Sequence, residues 1–335
     1  MKEAEIRKPQ ALETYLGMVR QDCRRLFGEA GTLSPVDCPA CSSQRSSLQF
    51  EKSGFEYALC ENCETLFART RPSFASLQEF YTQAPSTEFW IEEFFKPVAE
   101  ARREKIFRPR AEYLGERFGH DPVWVTGDVG AGFGLFSQEL QRLWPRSRCL
   151  AIEPSPEQAE ICRSAGLEAV CSSLEELGDQ DEYAGSFDLL TTFELYEHLY
   201  DPKEFTRVAY RLLKPGGLLM ITTLNGQGFD IQILWERSNS IYPPCHINLF
   251  NPESLSGLLA DCGFEVEEAA TPGQLDWDIL EGMINREGFD PGRFWTSVAR
   301  KASPGAKREL QEWITRNRLS SHMRLLARKK QDLLS

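Results

Sequence analysis

The chain has 335 residues, of which 41% are hydrophobic and 26% charged, and this is the composition of an ordinary globular protein. Its formal net charge of -12 disfavours nonspecific binding to nucleic acid, because such binding depends on neutralising phosphates. No apolar run approaches the roughly 18 residues that a membrane span needs. The charged N-terminus lacks the apolar core of a signal peptide, so we expect a cytoplasmic protein without a membrane span.

The first 119 residues divide into three segments. Residues 1–32 predict an N-terminal helix, because Leu12, Leu16 and other apolar residues recur at helical spacing. Residues 33–72 are rich in serine, cysteine and glycine and contain short strand-like pieces, and residues 73–119 predict further helices. A basic run in this last segment is interpreted as a solvated helix face rather than a nucleic-acid-binding patch: Arg102, Arg103, Lys105, Arg108 and Arg110.

Two CxxC pairs lie in the second segment. Cys38 and Cys41 form the first pair, Cys60 and Cys63 the second, and 18 residues separate the pairs. Four thiolates suit tetrahedral zinc, and the spacing is typical of a zinc ribbon rather than of disulfides or free thiols. Because a four-cysteine site leaves no open coordination position, we expect a structural zinc that serves folding or docking.

Residues 120–335 change to alternating strands and helices, which predicts a parallel sheet with helices on both faces. Asp201 is a plausible N-cap for the helix that begins at Pro202. An aromatic-rich insertion at about 272–320 separates the sixth strand from a last one. The predicted strands are residues 123–129, 149–152, 168–171, 187–192, 218–223, 263–269 and 323–327.

A glycine-rich loop follows the first of these strands. Glycines stand at every second position from Gly130 to Gly134, where the backbone can approach a ligand closely. The spacing departs from GxGxxG, so the loop fits a cofactor without a pyrophosphate better than NAD, although a simple tight turn is the alternative. Glu153 ends the second strand and can accept the hydroxyls of an adenosine ribose, the alternative being a cap for the helix at Pro156.

Five stretches in order resemble the motifs of class I S-adenosylmethionine (SAM)-dependent methyltransferases: DVGAGFG, AIEPS, FDLLTTFELYEHLYDP, LLKPGG and LLMITTLN. The resemblance runs from about Val123 to Gly263. It implies an α/β, Rossmann-like domain with a mostly parallel, seven-stranded sheet, and it implies SAM as the cofactor. The SAM-dependent methyltransferase domain is therefore expected to occupy residues 120–335, behind the zinc-ribbon-like module at 33–72.

The resemblance also implies roles for individual residues. Gly130, Gly132 and Gly134 would pass beneath the methionine part of SAM, with Asp128 at its amino end, and Glu153 would hold the ribose.

Beyond the first two strands, the resemblance implies contacts at two further loops. Ser173 and Leu174, after the third strand, would lie near the adenine, although the family often has an acid there and this chain has serines. Phe193 and Glu194, after the fourth strand, would line the mouth of the cofactor and acceptor site.

The cysteine pairs extend the resemblance to class I methyltransferases that carry an N-terminal zinc-binding domain. Many of these act on sugars or in surface-glycan pathways. The combined resemblance implies a small hydroxylated acceptor such as a sugar, a polyol or a surface-glycan precursor.

Candidate catalytic residues come from two loops. Methyl transfer from SAM requires an aligned nucleophile and, for a hydroxyl, a base that removes its proton. His246 follows the fifth strand, where ubiquinone-pathway O-methyltransferases have a similar histidine, so it is the candidate general base; the alternative is a loop histidine bonded to a backbone carbonyl. Glu194, Glu197 and His198 could hold a divalent cation, but we favour His198 as a residue that orients its loop.

The leading hypothesis is therefore a SAM-dependent small-molecule methyltransferase that methylates oxygen or carbon. Two alternatives remain: an RNA methyltransferase that docks its substrate on the zinc module, and a non-catalytic SAM-binding protein. The sequence leaves open the acceptor, the oligomeric state and whether the zinc module contacts a substrate or a partner.

Overall fold

The computed structural model describes residues 1–29 and 31–330, and within it the chain forms two compact units. The cysteine unit comprises Met1–Val98, Thr223–Leu255 and Ala270–Arg324. The sheet unit comprises Ala99–Thr222, Ser256–Ala269 and the described residues from Leu325. Ala30 of the predicted N-terminal helix segment and residues 331–335 of the predicted methyltransferase domain lie outside the described residues.

Helices and strands account for most of the described chain. The strands are β1 (Ser34–Pro35), β2 (Ser46–Lys52), β3 (Phe55–Cys60), β4 (Leu66–Ala68), β5 (Thr70–Arg71), β6 (Val125–Val129), β7 (Arg148–Ile152), β8 (Glu168–Val170), β9 (Phe187–Phe193), β10 (Leu213–Leu224), β11 (Asn248–Leu249), β12 (Phe264–Ala270) and β13 (His322–Lys329). The helices are α1 (Glu3–Ile6), α2 (Pro9–Phe27), α3 (Phe74–Gln83), α4 (Pro85–Phe89), α5 (Ala99–Arg102), α6 (Arg108–Phe118), α7 (Leu135–Leu143), α8 (Pro156–Ser164), α9 (Leu174–Gly178), α10 (Pro202–Leu212), α11 (Phe229–Leu234), α12 (Pro252–Asp261), α13 (Asp276–Glu287), α14 (Arg293–Lys301) and α15 (Pro304–Arg316).

A seven-stranded sheet organises the sheet unit, in the order β12-β13-β10-β9-β6-β7-β8. The pairs β10–β9, β9–β6, β6–β7 and β7–β8 are parallel, which confirms the predicted Rossmann-like architecture. Since parallel strands end at the same edge, the loops after β6, β7 and β9 share the carboxyl edge of the sheet, where ligands of such sheets bind.

Apolar side chains explain why this sheet is buried on its faces. Leu189, Met220 and Leu326 from the strands pack with Phe136 and Trp144, and all five are at most 2% exposed. Parallel sheets covered by helices favour such near-continuous apolar strands.

Close packing also selects a glycine within β6. A Cβ at Gly127 would lie 2.7 Å from the side chain of Leu190 on β9, so a larger residue would separate the two strands.

The Asp201 carboxylate accepts hydrogen bonds from the backbone N–H groups of Lys203 and Glu204, which confirms the predicted N-cap of α10.

The cysteine unit is built on a four-stranded sheet in the order β11-β4-β3-β2, whose neighbours are antiparallel. Phe27 at the end of α2 packs edge-on against Phe55 of β3. The predicted insertion folds as α13, α14 and α15, with Trp277, Leu280 and Met283 of α13 in a buried cluster that includes Leu234 of α11.

Several elements differ from the sequence-based expectations. The strand-like pieces predicted in the cysteine-rich segment, residues 55–59 and 65–68, correspond to β3 and β4, whereas β1, β2, β5 and β11 are additional. Strand β10 is longer than the predicted strand at 218–223. The predicted helical segment 73–119 contains two π-helical turns, Trp90–Phe95 and Arg103–Phe107. Among the described residues, no helix combines the length and hydropathy that crossing a membrane would require.

Candidate cofactor and metal sites

The glycine loop after β6 has the backbone conformation that only glycine adopts without strain. Gly130, Gly132 and Gly134 have φ of 70°, 56° and 67°, all in the left-handed region. A Cβ at Gly134 would also lie 2.5 Å from Leu167 Cδ1 and 3.0 Å from Cys162 Sγ. Glycine at position 134 is therefore required by packing as well as by backbone conformation, and the loop lies at the carboxyl edge of the sheet, where ligands of such sheets bind.

Glu153 connects this loop to the end of β7. Its Oε2 accepts a hydrogen bond from Gly132 N at 2.8 Å and its Oε1 accepts one from Ser155 N at 2.9 Å. The N-cap of α8 is Ser155, whose hydroxyl accepts from Gln158 N, so Glu153 does not have the capping role that was its alternative. A carboxylate has about four acceptor positions, so these two bonds leave capacity for the paired hydroxyls of a ribose.

The Glu153 carboxyl is buried, at 6% exposure. Burial raises its pKa, and the hydrogen bonds from the N–H groups of Ser155 and Gly132 oppose that rise by favouring the charged form. The arrangement fits an acceptor for hydroxyl donors.

Asp128 lies beneath the loop, 3% exposed, in the last part of β6. Its Oδ2 accepts from Ser137 Oγ of α7 at 2.7 Å and its Oδ1 from Thr191 Oγ1 of β9 at 3.0 Å. Burial raises the pKa of Asp128 to about 6, against the lowering effect of these two hydroxyls. These contacts brace the strand and helix that flank the loop, and a role at the amino end of SAM stays a prediction.

The loop after β8 is a helix start. Ser173 caps α9: its hydroxyl accepts from Glu176 N, and the Glu176 carboxylate accepts from Ser173 N, which forms a capping box. The Leu174 side chain is buried. The adenine contacts of Ser173 and Leu174 stay a prediction, and the two residues lie at the hydrogen-bonded start of α9.

Phe193 is the last residue of β9, and Glu194, directly after it, has a strained backbone conformation. Glu194 has φ of 53°, which is uncommon for a residue with a side chain and recurs at functional sites. Its N–H donates to the Thr222 carbonyl at 2.8 Å, and its Oε1 accepts from Thr222 Oγ1 at 2.9 Å and from Arg110 Nη2 at 2.5 Å. The Arg110 guanidinium also lies 4.7 Å from the centre of the Phe193 ring.

Arg110 corrects the interpretation of the basic run as a solvated face. Its side chain is only 10% exposed in its ion pair with Glu194. Arg108 pairs with the buried Glu139 of α7 at 3.1 Å, and Arg103 donates to Gln138 at 2.7 Å. Helical spacing gives no sign of such partners, which come from α7 and from the loop after β9.

The four cysteines of the two CxxC pairs lie together in the cysteine unit. The Sγ atoms of Cys38 and Cys63 are 3.6 Å apart, as are those of Cys41 and Cys60, and all four lie within 4.8 Å of one another. A tetrahedron with Zn–S bonds of about 2.3 Å has S···S edges of about 3.8 Å, so the thiols fit a structural zinc.

His246 also belongs to the cysteine unit. Its Nδ1 lies 2.7 Å from the Ser240 carbonyl oxygen, and its ring centre is 4.0 Å from that of Tyr242. A carbonyl only accepts, so Nδ1 carries the proton and, in neutral imidazole, Nε2 is the acceptor nitrogen. The carbonyl-bonded alternative is therefore correct for Nδ1 and is compatible with Nε2 as a base.

The predicted site residues thus fall into two groups. The sheet unit holds those that follow β6 to β9: Asp128, Gly130, Gly132, Gly134, Glu153, Ser173, Leu174, Phe193, Glu194 and His198. The cysteine unit holds His246 and the four cysteines.

Comparison with known proteins identifies the class. A protein-family model described as "Methyltransferase domain" matches residues 98–269, more than half of the chain. The chain belongs to this methyltransferase family, which confirms the class of enzyme predicted from the motifs.

Individual relatives match only part of the chain or share low sequence identity with it. A "Ubiquinone biosynthesis O-methyltransferase" of Xanthomonas oryzae pv. oryzae is 41% identical over 122 residues, 35% of this chain and 49% of the relative. One of the same name from Xanthomonas axonopodis pv. citri is 38% identical over the same coverage. The chain spans about half the length of the curated relatives it matches. A solved geranyl diphosphate methyltransferase shares 15% identity at a TM-score of 0.48, over 77% of this chain and 95% of that one.

Proposed function

We propose that the protein transfers the methyl group of SAM to an oxygen of a small hydroxylated acceptor, with His246 as the general base. The observation that carries this proposal is the pairing of a left-handed glycine loop with Glu153 at the carboxyl edge of a parallel sheet. The family match covers the same loop, and the printed name of the curated relatives specifies oxygen as the methylated atom.

SAM, when bound, supplies an electrophilic methyl group on a sulfonium. The glycine loop lets the main chain lie against the methionine part without a Cβ in between. Glu153 accepts the ribose hydroxyls with the acceptor capacity that Gly132 and Ser155 leave unused. Phe193 and Glu194 contribute a mouth that the Arg110 ion pair holds in one conformation.

His246 removes the acceptor proton at Nε2. The Ser240 carbonyl accepts the hydrogen bond from Nδ1 and so fixes the tautomer. It also stabilises the imidazolium that forms when Nε2 takes a proton, because a charged N–H donor makes a stronger hydrogen bond than a neutral one. Glu194 and His198 remain candidates for orienting the loop after β9.

The acidity of the acceptor hydroxyl has to suit a histidine base. A histidine base, whose ordinary pKa is about 6.5, matches a phenol of pKa about 10 better than an alcohol as weakly acidic as water. This favours an aromatic hydroxyl over the sugar or surface-glycan precursor that the zinc-domain resemblance implies. Both acceptor classes belong in the test.

The experiment measures methyl transfer from methyl-labelled SAM with zinc-replete protein. One arm offers small catechols, the second nucleotide sugars and free polyols, and the third structured RNA. His246→Gln, which keeps a polar side chain, is the matched catalytic variant, and His322→Gln is its control. We expect wild-type protein to transfer label to a small hydroxylated compound. The rate of this transfer should fall at least 100-fold in His246→Gln and stay at the wild-type level in His322→Gln.

Three results would each contradict one part of the proposal. Label on RNA alone would replace the small-molecule acceptor, and transfer at wild-type rates by His246→Gln would remove the general base. Label on carbon would overturn the oxygen assignment while leaving the SAM site intact.

A further inference from the structure

We infer that the zinc-binding module positions the candidate catalytic base: Tyr57 and Arg71 hold the segment His246–Asn251 so that the imidazole of His246 keeps one orientation and one tautomer. This inference rests on the proposed role of His246. It assigns to Tyr57 and Arg71 the role of positioning residues, which neither motif nor family match had indicated.

The contacts form a continuous series along the segment. Tyr57 Oη of β3 donates to the His246 carbonyl at 2.7 Å, and Ala68 N of β4 donates to the Ile247 carbonyl at 2.9 Å. Arg71 Nη2 donates to the same Ile247 carbonyl at 3.2 Å and to Asn248 Oδ1 at 2.6 Å.

The hydrogen bonds continue to the second CxxC pair, Cys60 and Cys63. Asn248 and Leu249 pair with Phe67 and Leu66 as β11 on the edge of the sheet. Asn251 Nδ2 donates to the Cys63 carbonyl at 2.9 Å, so a residue that carries a zinc ligand also anchors the end of the segment. The module is thereby joined to the loop of the base through main-chain and side-chain bonds.

Burial makes these contacts strong. Tyr57 is 0% exposed and Arg71 is 3% exposed, so water does not replace their partners readily. Removing a buried donor leaves its acceptor desolvated and without a hydrogen bond, which is unfavourable. Because Tyr57 lies three residues before the ligand Cys60 on β3, the metal and the donor share one strand.

The consequence for the imidazole follows from its second anchor. His246 N donates to the Tyr242 carbonyl at 3.0 Å, and Nδ1 contacts the Ser240 carbonyl. The Nδ1 bond to Ser240 depends on where the backbone of His246 places the ring, and the Tyr57 hydroxyl bonds the carbonyl of that same residue. Without the Tyr57 hydroxyl, the His246 carbonyl loses its buried donor, and we expect the backbone there to shift enough to weaken the Nδ1 bond to Ser240.

The test is the nitrogen NMR spectrum of the imidazoles in full-length, zinc-loaded protein labelled with ¹⁵N-histidine. The chain has four histidines, and His246→Gln assigns the signal of His246. At a pH at which the imidazole ring is neutral, the wild-type protein is expected to show a protonated Nδ1 and an unprotonated Nε2. Tyr57→Phe removes only the hydroxyl, and Tyr113→Phe, which loses a hydroxyl bond to Glu268 in the sheet unit, is the matched control.

In Tyr57→Phe we expect the single-tautomer signal of His246 to be replaced by averaged shifts at both nitrogens. Zinc content should remain at one per chain and SAM affinity within twofold of wild type, while Tyr113→Phe should keep the wild-type His246 signal. Arg71→Lys, which keeps the charge but loses the forked geometry, repeats the test if Tyr57→Phe does not fold.

A zinc-loaded, folded Tyr57→Phe or Arg71→Lys protein with the wild-type His246 spectrum would overturn the inference and leave the proposed methyl transfer untouched. A wild-type His246 with the proton on Nε2 would instead remove the general base, and with it this inference.

Discussion

The two compact units differ in how continuously the chain builds them. Each joins three stretches, but the sheet unit takes most of its residues from one of them, Ala99–Thr222, whereas the residues of the cysteine unit are divided more evenly among its three stretches. The first has parallel strand pairing around an apolar core, and the second has a small antiparallel sheet, an apolar cluster of its own and a cluster of four thiols. The candidate cofactor site and the candidate zinc site therefore lie in different units, each with its own packing.

The largest expected effect comes from loss of the proposed zinc site, which should destabilise the cysteine unit and leave SAM binding by the sheet unit intact. Cys60→Ser removes one of four thiolate ligands, and structural zinc contributes on the order of 10 kcal/mol to small zinc modules. We expect less than one zinc per chain and early unfolding of the cysteine unit, seen as fast hydrogen exchange in residues 38–71. SAM binding by the sheet unit should persist.

The matched control is Cys171→Ser, because Cys171 is exposed and belongs to the sheet unit. It should keep full zinc content and unchanged exchange in residues 38–71. Full zinc occupancy in Cys60→Ser would contradict a four-cysteine site.

A second comparison separates strain from crowding in the glycine loop. Gly134→Ala combines a left-handed φ with a Cβ 2.5 Å from Leu167, so we expect destabilisation of about 2–5 kcal/mol and at least tenfold weaker SAM binding. Gly166→Ala has a similar φ of 81° but no atom within 4 Å of the added Cβ. It should cost only about 1–2 kcal/mol and leave SAM affinity unchanged, as thermal unfolding and calorimetry would measure. Equal effects of the two substitutions would mean that crowding at the loop is unimportant.

The smallest expected effect concerns a buried carboxyl in the cysteine unit. Asp230 is 0% exposed, and burial, reinforced by the nearby charge of Asp276, raises its pKa well above the ordinary value. The folded state therefore binds a proton that the unfolded state releases above about pH 4, so this group's contribution to stability falls as pH rises towards the folded pKa.

Asp230→Asn should consequently stabilise the protein at pH 8 by about 1–3 kcal/mol and have little effect near pH 4. Denaturant unfolding at both pH values measures the difference. A stabilisation that does not change with pH would show that Asp230 does not titrate in this range.

Local sequence signals predicted the sheet unit well. Apolar runs alternating with helical periods located all seven strands of the large sheet, and the Asp201 cap was found because an N-cap depends on neighbouring residues only. The two CxxC pairs likewise predicted the thiol cluster, since each pair supplies two ligands from one tight turn.

Contacts between distant stretches left no such signal. The two-residue strand β11 is too short to show alternation, and its partner β4 lies about 180 residues earlier. The donation of Tyr57 to His246 and the pairing of Arg110 with Glu194 depend on folding, not on spacing. Sequence therefore found the candidate base and the candidate mouth residue but not the side chains that hold them.

We propose that the sheet unit binds SAM through the glycine loop and Glu153. Calorimetric titration of SAM into zinc-replete protein tests it most directly, beside Glu153→Ala and the control Glu168→Ala, whose carboxylate pairs with Arg148 near the other end of the strands. The account predicts one SAM per chain, at least tenfold weaker binding in Glu153→Ala and unchanged binding in Glu168→Ala. Folded protein that takes up no SAM, or equal affinity in wild type and Glu153→Ala, would contradict it.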